Sequence, residues 1–410
     1  MSNEPKGPRI FYGWLVVAAC FAATFTLGEA LFTFGVFFKP LKNEFGWSRA
    51  LVSSGYTAFL IGYCISVMTG GRLADRYSPR PILFVSGLLA GFGISLCSQI
   101  QNVNQLRIFL FIGGLGAGAT WSVPTSTVQR WFYRRRRAGV ALGIVVAGFG
   151  VGCLVFAPLI NYLVLTYGWR GAYLFAGILF FIILAISSLI IKQAPANTGT
   201  VSQGERSMPN HQTIHSWGTG KAVTTSSFAG ITFIHCVAVL AFQILAVHFV
   251  PHATDADISP TASAAALGLL GGLSVPGRIV SGFISDKVAW QKTLVLSCFG
   301  MSLSLPLLLF LKEYWMLYCF VFFYGLCHGS RVSAHIGILG EFYGLRSLGE
   351  LIGISTAIAV FIGAFAPYVA GFIFDTTGSY SVVFTIVMLL FLISGIIAHT
   401  MKRPELMISS

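Results

Sequence analysis

Gly71-Arg72-Leu73-Ala74-Asp75-Arg76, with Arg80 four residues on, returns 211 residues later as Gly282-Phe283-Ile284-Ser285-Asp286-Lys287. Each copy follows a long apolar run, so the two hold the same place in a pattern that is stated twice. The match extends outward at a nearly constant shift. Gly114, Leu115 and Gly118 return as Gly325, Leu326 and Gly329; Trp131-Phe132-Tyr133 with Arg136, Gly139 and Gly143 returns as Glu341-Phe342-Tyr343 with Arg346, Gly349 and Gly353. Pro40 matches Pro251, Pro158 matches Pro367, and Gly168 matches Gly378. In a chain with 46 glycines chance supplies one or two such matches, but not a constant shift across five separate loops and helices.

The repeated unit is apolar. A helix needs about 20 apolar residues to cross roughly 30 Å of hydrocarbon, and such stretches lie near 11–38, 49–70, 79–99, 103–128, 138–165, 170–191, 224–250, 260–284, 291–311, 314–340, 348–374 and 378–401. Twelve spans in two sets of six predict two parallel repeats related by an axis along the membrane normal. The long polar interruption, rich in Ser, Thr, Gly and Gln, reads as a flexible linker. The expected organisation is a six-helix bundle over 1–191, a cytoplasmic linker over 192–223 and a second bundle over 224–410.

With 55% hydrophobic residues, 36 Phe and 10% charged residues, the chain has too little polar surface to cover water-facing globules. Its net charge of +13 invites a nucleic-acid reading. The placement of the charges selects a membrane surface instead. With the N-terminus inside, 18 Lys and Arg lie on the cytoplasmic side and six outside, which predicts cytoplasmic termini. Arg134 to Arg137, between spans 4 and 5, read as a topology anchor touching anionic lipid rather than an RNA patch. The eight cysteines stand singly in apolar runs and read as packing residues. Val17-Ala18-Ala19-Cys20 superficially resembles a lipoprotein cleavage site, but the apolar run continues to Phe38, far beyond a signal peptide's core of about 7–15 residues.

Gly71-x-x-x-Asp75-Arg76-x-x-x-Arg80 resembles the signature loop of the major facilitator superfamily, with Ser78 where Gly is usual. That resemblance implies an all-α integral membrane protein of the major facilitator fold, and a gating role for Gly71, Asp75, Arg76, Arg80, Gly282, Asp286 and Lys287. The carboxylate of Asp75 suits a nearby helix N-terminus, and Gly71 lets helices approach closely. Within the superfamily the whole chain is similar to the monocarboxylate transporters and their bacterial relatives. Phe11-Tyr12-Gly13-Trp14 opens span 1, Val36-Phe37-Phe38-Lys39 closes it, and Trp131 to Gly143 leads into span 5 in that family's pattern. The resemblance implies a secondary transporter in a bacterial cytoplasmic (inner) membrane, with a carboxylate-binding arginine at Arg278. Two positions depart from the family: Ser274 stands where an acidic residue is common one turn before that arginine, and Arg331 stands where an apolar residue is usual.

A charged side chain at mid-bilayer costs at least about 2.5–3.5 kcal/mol on insertion scales. Arg278 lies eight residues (~12 Å) before Asp286, Arg331 ten residues (~15 Å) before Glu341, and Glu29 ten residues (~15 Å) before Lys39. All three are expected near the midplane, and in the superfamily spans 1, 4, 7 and 10 line the cavity. A guanidinium suits a carboxylate because its planar fork donates two parallel hydrogen bonds. Arg278 and Arg331 are the expected anion ligands, with Glu29 as proton carrier or, alternatively, as a static partner of an arginine. His328 and His335 flank Arg331 on one helix face: His328 reads as a substrate donor and His335 as a proton carrier, or each as a packing residue. His235 sits near mid-depth in span 7. Thr120, the repeat mate of Arg331, reads as a hydroxyl donor or as a small residue at a helix contact.

The expected activity is transport of a small organic anion, foremost a lactate- or pyruvate-like monocarboxylate moved with a proton. Its rival is exchange of dicarboxylate for monocarboxylate, as in the oxalate–formate exchangers, on the strength of two midplane arginines. No Walker loop, HExxH or nucleophile–base pair is found, so no catalytic residue, metal site or cofactor is expected.

Overall fold

In the computed structural model, residues 12–132, 138–192, 217–285, 289–344 and 348–404 are described. Asp286, Lys287, Arg134 to Arg137 and the linker core 193–216 lie outside them. So do the side chains of Asp75 and Arg76 and the surroundings of Gly71 and Gly282.

The described chain is helical throughout. The N-terminal half comprises α1 (Tyr12–Phe32), α2 (Phe34–Phe45), α3 (Arg49–Arg76), α4 (Pro79–Leu96), α5 (Val103–Ala117), α6 (Ala119–Trp131) and α7 (Ala138–Ile190). A short α8 (Thr219–Val223) precedes the C-terminal half: α9 (Ser226–Asp255), α10 (Pro260–Ser285), α11 (Trp290–Leu309), α12 (Tyr314–Tyr343), α13 (Leu348–Thr377) and α14 (Ser381–Thr400). Among the described residues ten segments are long and apolar enough to span a bilayer. One of them, α7, is two spans joined through Gly168, whose φ of 73° and ψ of 167° turn the chain. Counting α12, which is 30 residues long but diluted by His328, Arg331 and His335, gives twelve. The chain is a multi-pass membrane protein. Leu303 (80% exposed), Leu189 (73%) and Phe310 (70%) stand on its outer faces, where only lipid is a fit solvent.

Several boundaries differ from expectation for local reasons. The first span is broken at Thr33: its hydroxyl donates back to Glu29 O at 2.9 Å, and Val36 N–H turns to Thr33 O at 2.9 Å. Such back-bonding disturbs the regular ladder. The fourth span is broken at Gly118 into α5 and α6. The signature segment 71–76, expected as a loop, forms the end of α3, because the first breaker on its path is Ser78-Pro79. Gly282 likewise lies within α10. At the end of the linker, Trp217 N–H donates to Tyr343 O at 3.0 Å, and α8 packs beside α13 and α9.

The repeat is legible in the backbone. The non-glycine residue with positive φ among the described residues, Asp257 (60°), is the mate of Gly46 (66°), and Gly168 and Gly378 share a φ of 73°. Arg80 donates to Leu189 O and Ile191 O, both at 2.7 Å, closing the end of α7. Its mate Gln291 donates to Ala398 O (2.8 Å) and Met401 O (2.7 Å), closing the end of α14. A Cβ on Gly118 would stand 2.4 Å from Tyr63 O, and one on Gly329 2.0 Å from Ser274 O, so the same helix pair touches backbone to backbone in each half.

The halves meet along α7–α10, α3–α13 and α2–α9. At the end carrying the α2–α3 turn, polar groups bridge them. Asp255 accepts from Lys39 Nζ (2.7 Å) and Arg49 Nη2 (2.5 Å). Asp375 receives the backbone N–H groups of Arg49 (2.9 Å) and Ala50 (2.8 Å), capping α3. Arg49 Nη1 reaches Tyr380 OH at 2.8 Å while its guanidinium lies 3.6 Å over the Phe374 ring.

Candidate functional site

The polar centre of the C-terminal half is built on α9, α10 and α12. Gly277 and Gly329 bring α10 and α12 into backbone contact, and Ser330 Oγ donates across that contact to Gly277 O at 3.0 Å. Arg278 and Arg331 therefore leave neighbouring, tightly held helices. Arg331 is 2% exposed, and its Nη1 donates to His235 Nδ1 on α9 at 2.7 Å. An arginine has no lone pair to offer, so His235 Nδ1 must accept and its proton resides on Nε2. That Nε2–H is buried and has no partner.

The His335 ring stacks on His235, with centroids 4.0 Å apart and planes at 14°. His328 stacks on Phe242 at 4.9 Å and lies parallel to Tyr324 at 6.1 Å. Arg278 Nε, Arg331 Nε, His335 Nε2 and His328 Nδ1 are buried without hydrogen-bond partners. Among the described residues no carboxylate pairs with either arginine. Unmet polar groups of this kind cost free energy unless they find a partner. Two guanidiniums thus carry buried N–H groups without partners, and the Nε2–H of His235 is unpartnered too.

The expected residues separate into two groups. Arg278, Arg331, His328 and His335 share the C-terminal centre, joined by His235, which the sequence marked only by its depth. Thr120 stands apart: it is fully buried, and its hydroxyl donates to Ala117 O at 2.6 Å, leaving no proton to offer a ligand. Glu29 is not paired with either arginine. It is 1% exposed, its carboxyl oxygens have no partners, and it lines a cavity inside the N-terminal half together with Thr33, Tyr56 and Tyr173. Arg80 holds the end of α7, at the far end from the Arg49 bridges. The eight cysteines are all free thiols.

The major facilitator superfamily model matches residues 15–314. The chain is 25% identical over 393 residues to monocarboxylate transporter 13 of Bos taurus, covering 94% of this chain and 88% of that protein. It is 25% identical over 400 residues to monocarboxylate transporter 11 of Homo sapiens, covering 94% and 82%. A solved bacterial homologue of the human lysosomal transporter Spinster, inward-facing and occupied, superposes with a TM-score of 0.75 at 14% identity, over 96% of this chain and 97% of that one. A mutant of the nucleoside transporter NupG also gives 0.75, at 10% identity over 95% and 99%. These likenesses at low identity speak for the fold. The chain belongs to the major facilitator superfamily, a family of transporters rather than enzymes, and within it is similar to the monocarboxylate transporters.

Proposed function

We propose that this protein is a secondary transporter that takes the carboxylate of a small organic anion on Arg278 and carries it, together with a proton, by alternating access. The observation that supports this reading is the unmatched positive charge at the heart of α10 and α12: two guanidiniums with buried N–H groups and no described carboxylate beside them. The relatives' printed names favour a monocarboxylate as cargo. The excess of Lys and Arg on one side assigns the Arg80 end to the cytoplasm and the Arg49 bridges to the outside. The paired signature segments around Asp75 and Asp286 would then serve the cytoplasmic gate, and a bacterial inner membrane is the proposed location.

Arg331 supports a second reading. Its guanidinium, held by His235, gives the site a second positive charge, which fits exchange of a dicarboxylate for a monocarboxylate. Uptake of labelled pyruvate, lactate, oxalate and malonate into proteoliposomes at two external pH values separates the readings. Proton symport gives pyruvate or lactate accumulation that rises as the external pH falls. Exchange gives counterflow that ignores the pH gradient and depends on internal substrate. Under exchange, Arg331→Leu should abolish the dicarboxylate arm and spare the monocarboxylate arm. Absence of carboxylate transport in every arm would sink both readings.

A further inference from the structure

The break between α1 and α2 coincides with a buried carboxyl group that nothing in the described protein satisfies. Glu29 lies in the last turn of α1, where carbonyl groups run out of helical partners and the helix dipole is negative. Interrupted membrane helices recurrently use such ends to hold small cations. Glu29, both of whose oxygens are buried without partners, lines a cavity of about 20 Å³, the space one water molecule or a single ion needs. From α7, Tyr173 lines the same cavity, 3% exposed, its hydroxyl also without a partner. Its ring is fixed by stacking on Phe37 at 3.7 Å. Among the described residues Tyr56 and Tyr173 are the other titratable groups in the lining, and no Lys, Arg, His or Asp enters it. A carboxylate so placed cannot stay bare, because no described charge compensates it.

We propose that this cavity is a cation site of the N-terminal half, in which a proton or a sodium ion neutralises Glu29, separate from the anion site on α10 and α12. The inference rests on the transport reading for its role in coupling, though not for the existence of the site. The carboxylate supplies the charge, and Tyr173, in the same lining and with a buried hydroxyl that lacks a partner, is the second ligand of the proposed site. A route to the other half exists in Tyr56. Its hydroxyl lies 2.9 Å from Leu31 O, at the end of α1, and 3.1 Å from Gln243 Oε1 on α9. One hydroxyl proton can serve only one of these acceptors fully at a time, so the wall of the cation cavity and the contact between halves share a hydrogen bond. Coupling of this kind works through movement of the halves rather than through direct contact of cation with anion.

The test uses the full chain, wild type, Glu29→Gln and Tyr173→Phe. Infrared difference spectra of the detergent-solubilised protein, without carboxylate substrate, are recorded on changing pH in sodium-free buffer and on adding sodium at constant pH. A carboxyl band that responds to pH assigns a proton, and one that responds to sodium assigns that ion; in either case the response vanishes in Glu29→Gln. In Tyr173→Phe the response persists, with its midpoint shifted. In proteoliposomes, pyruvate accumulation driven by the assigned cation's gradient is lost in Glu29→Gln. A wild-type spectrum with no response dependent on Glu29, or full gradient-driven accumulation by Glu29→Gln, overturns the proposal. A Glu29 response in a protein that moves no carboxylate overturns the transport reading and leaves the cation site standing.

Discussion

The two halves of this transporter are the same scaffold carrying opposite chemistry. Gly118 and Gly329 make the same backbone contact, Arg80 and Gln291 close the same helix end, and the chain reverses at Gly168 as it does at Gly378. Yet Arg331 has Thr120 as its mate, Arg278 has Val67, His335 has Pro124 and His235 has Thr24. In the other direction, Glu29 has Leu240. At their buried centres, the N-terminal half thus carries an unpaired carboxyl beside a small cavity, and the C-terminal half carries two arginines. Duplication preserved what packs helices, while the ionisable groups diverged, which is where a fold shared by many transporters acquires its own substrate.

The largest expected effect breaks this asymmetry at its cationic pole. Arg278→Gln puts a neutral planar amide in place of the guanidinium and removes the charge, and truncating one member of a buried charged pair costs about 2–5 kcal/mol. Carboxylate affinity should fall about 30-fold to several-thousand-fold, read as the half-saturating concentration in proteoliposome uptake. Arg278→Lys should recover little, since an ammonium cannot reproduce the bidentate fork. Near wild-type uptake by Arg278→Gln would place the anion elsewhere.

Much of the scaffold was legible in the sequence because it rests on signals that are local and repeated. Apolar length, the 210–211 shift and the glycines of α5 and α12 all lie within one or two helices, and they yielded twelve spans and the pairing of halves. The individual charges Arg278 and Arg331 were legible too, since charge in an apolar run is conspicuous. What the sequence did not disclose are relations across the chain. Depth alone groups Glu29 with the two arginines, as proton carrier or as static partner. Depth, however, says nothing of which way a helix faces, and the bend at Thr33 belongs to a side chain's bond to its own backbone. His235 lies 96 residues from Arg331, and Asp255 206 residues from Arg49. No spacing rule connects such pairs. The segment 71–76 reads as a loop through its resemblance to the superfamily's signature loop, yet a polar motif without a breaker does not end a helix.

A middle-sized effect tests the scaffold itself. Gly118→Ala and Gly329→Ala each push a methyl group into a facing backbone carbonyl, 2.4 Å and 2.0 Å away. Overpacking of this order costs about 1–3 kcal/mol, and the closer contact predicts the larger loss at Gly329. Both variants should unfold at lower temperature in detergent, with the wild-type preference among substrates retained. A drop at one position and none at the other would show that the halves are packed differently despite their matching backbones.

The smallest effect is expected where the sequence offered a ligand and the structure offers a helix contact. Thr120 is the mate of Arg331, so an exchange of anion between the halves would run through it. Its hydroxyl donates instead to Ala117 O, one turn back, and the residue is fully buried. Thr120→Val retains the shape and deletes that hydrogen bond, leaving Ala117 O at the Gly118 break with one acceptor less satisfied. A typical intramolecular hydrogen bond contributes about 0.5–1.5 kcal/mol net, so thermal stability should fall slightly. Carboxylate affinity should stay within about threefold of wild type, since a conserved shape leaves the C-terminal centre untouched. Were the affinity to fall as far as in Arg278→Gln, the N-terminal half would be contributing to the anion site, and the division of labour between the halves would fail at the position where it is most open to test.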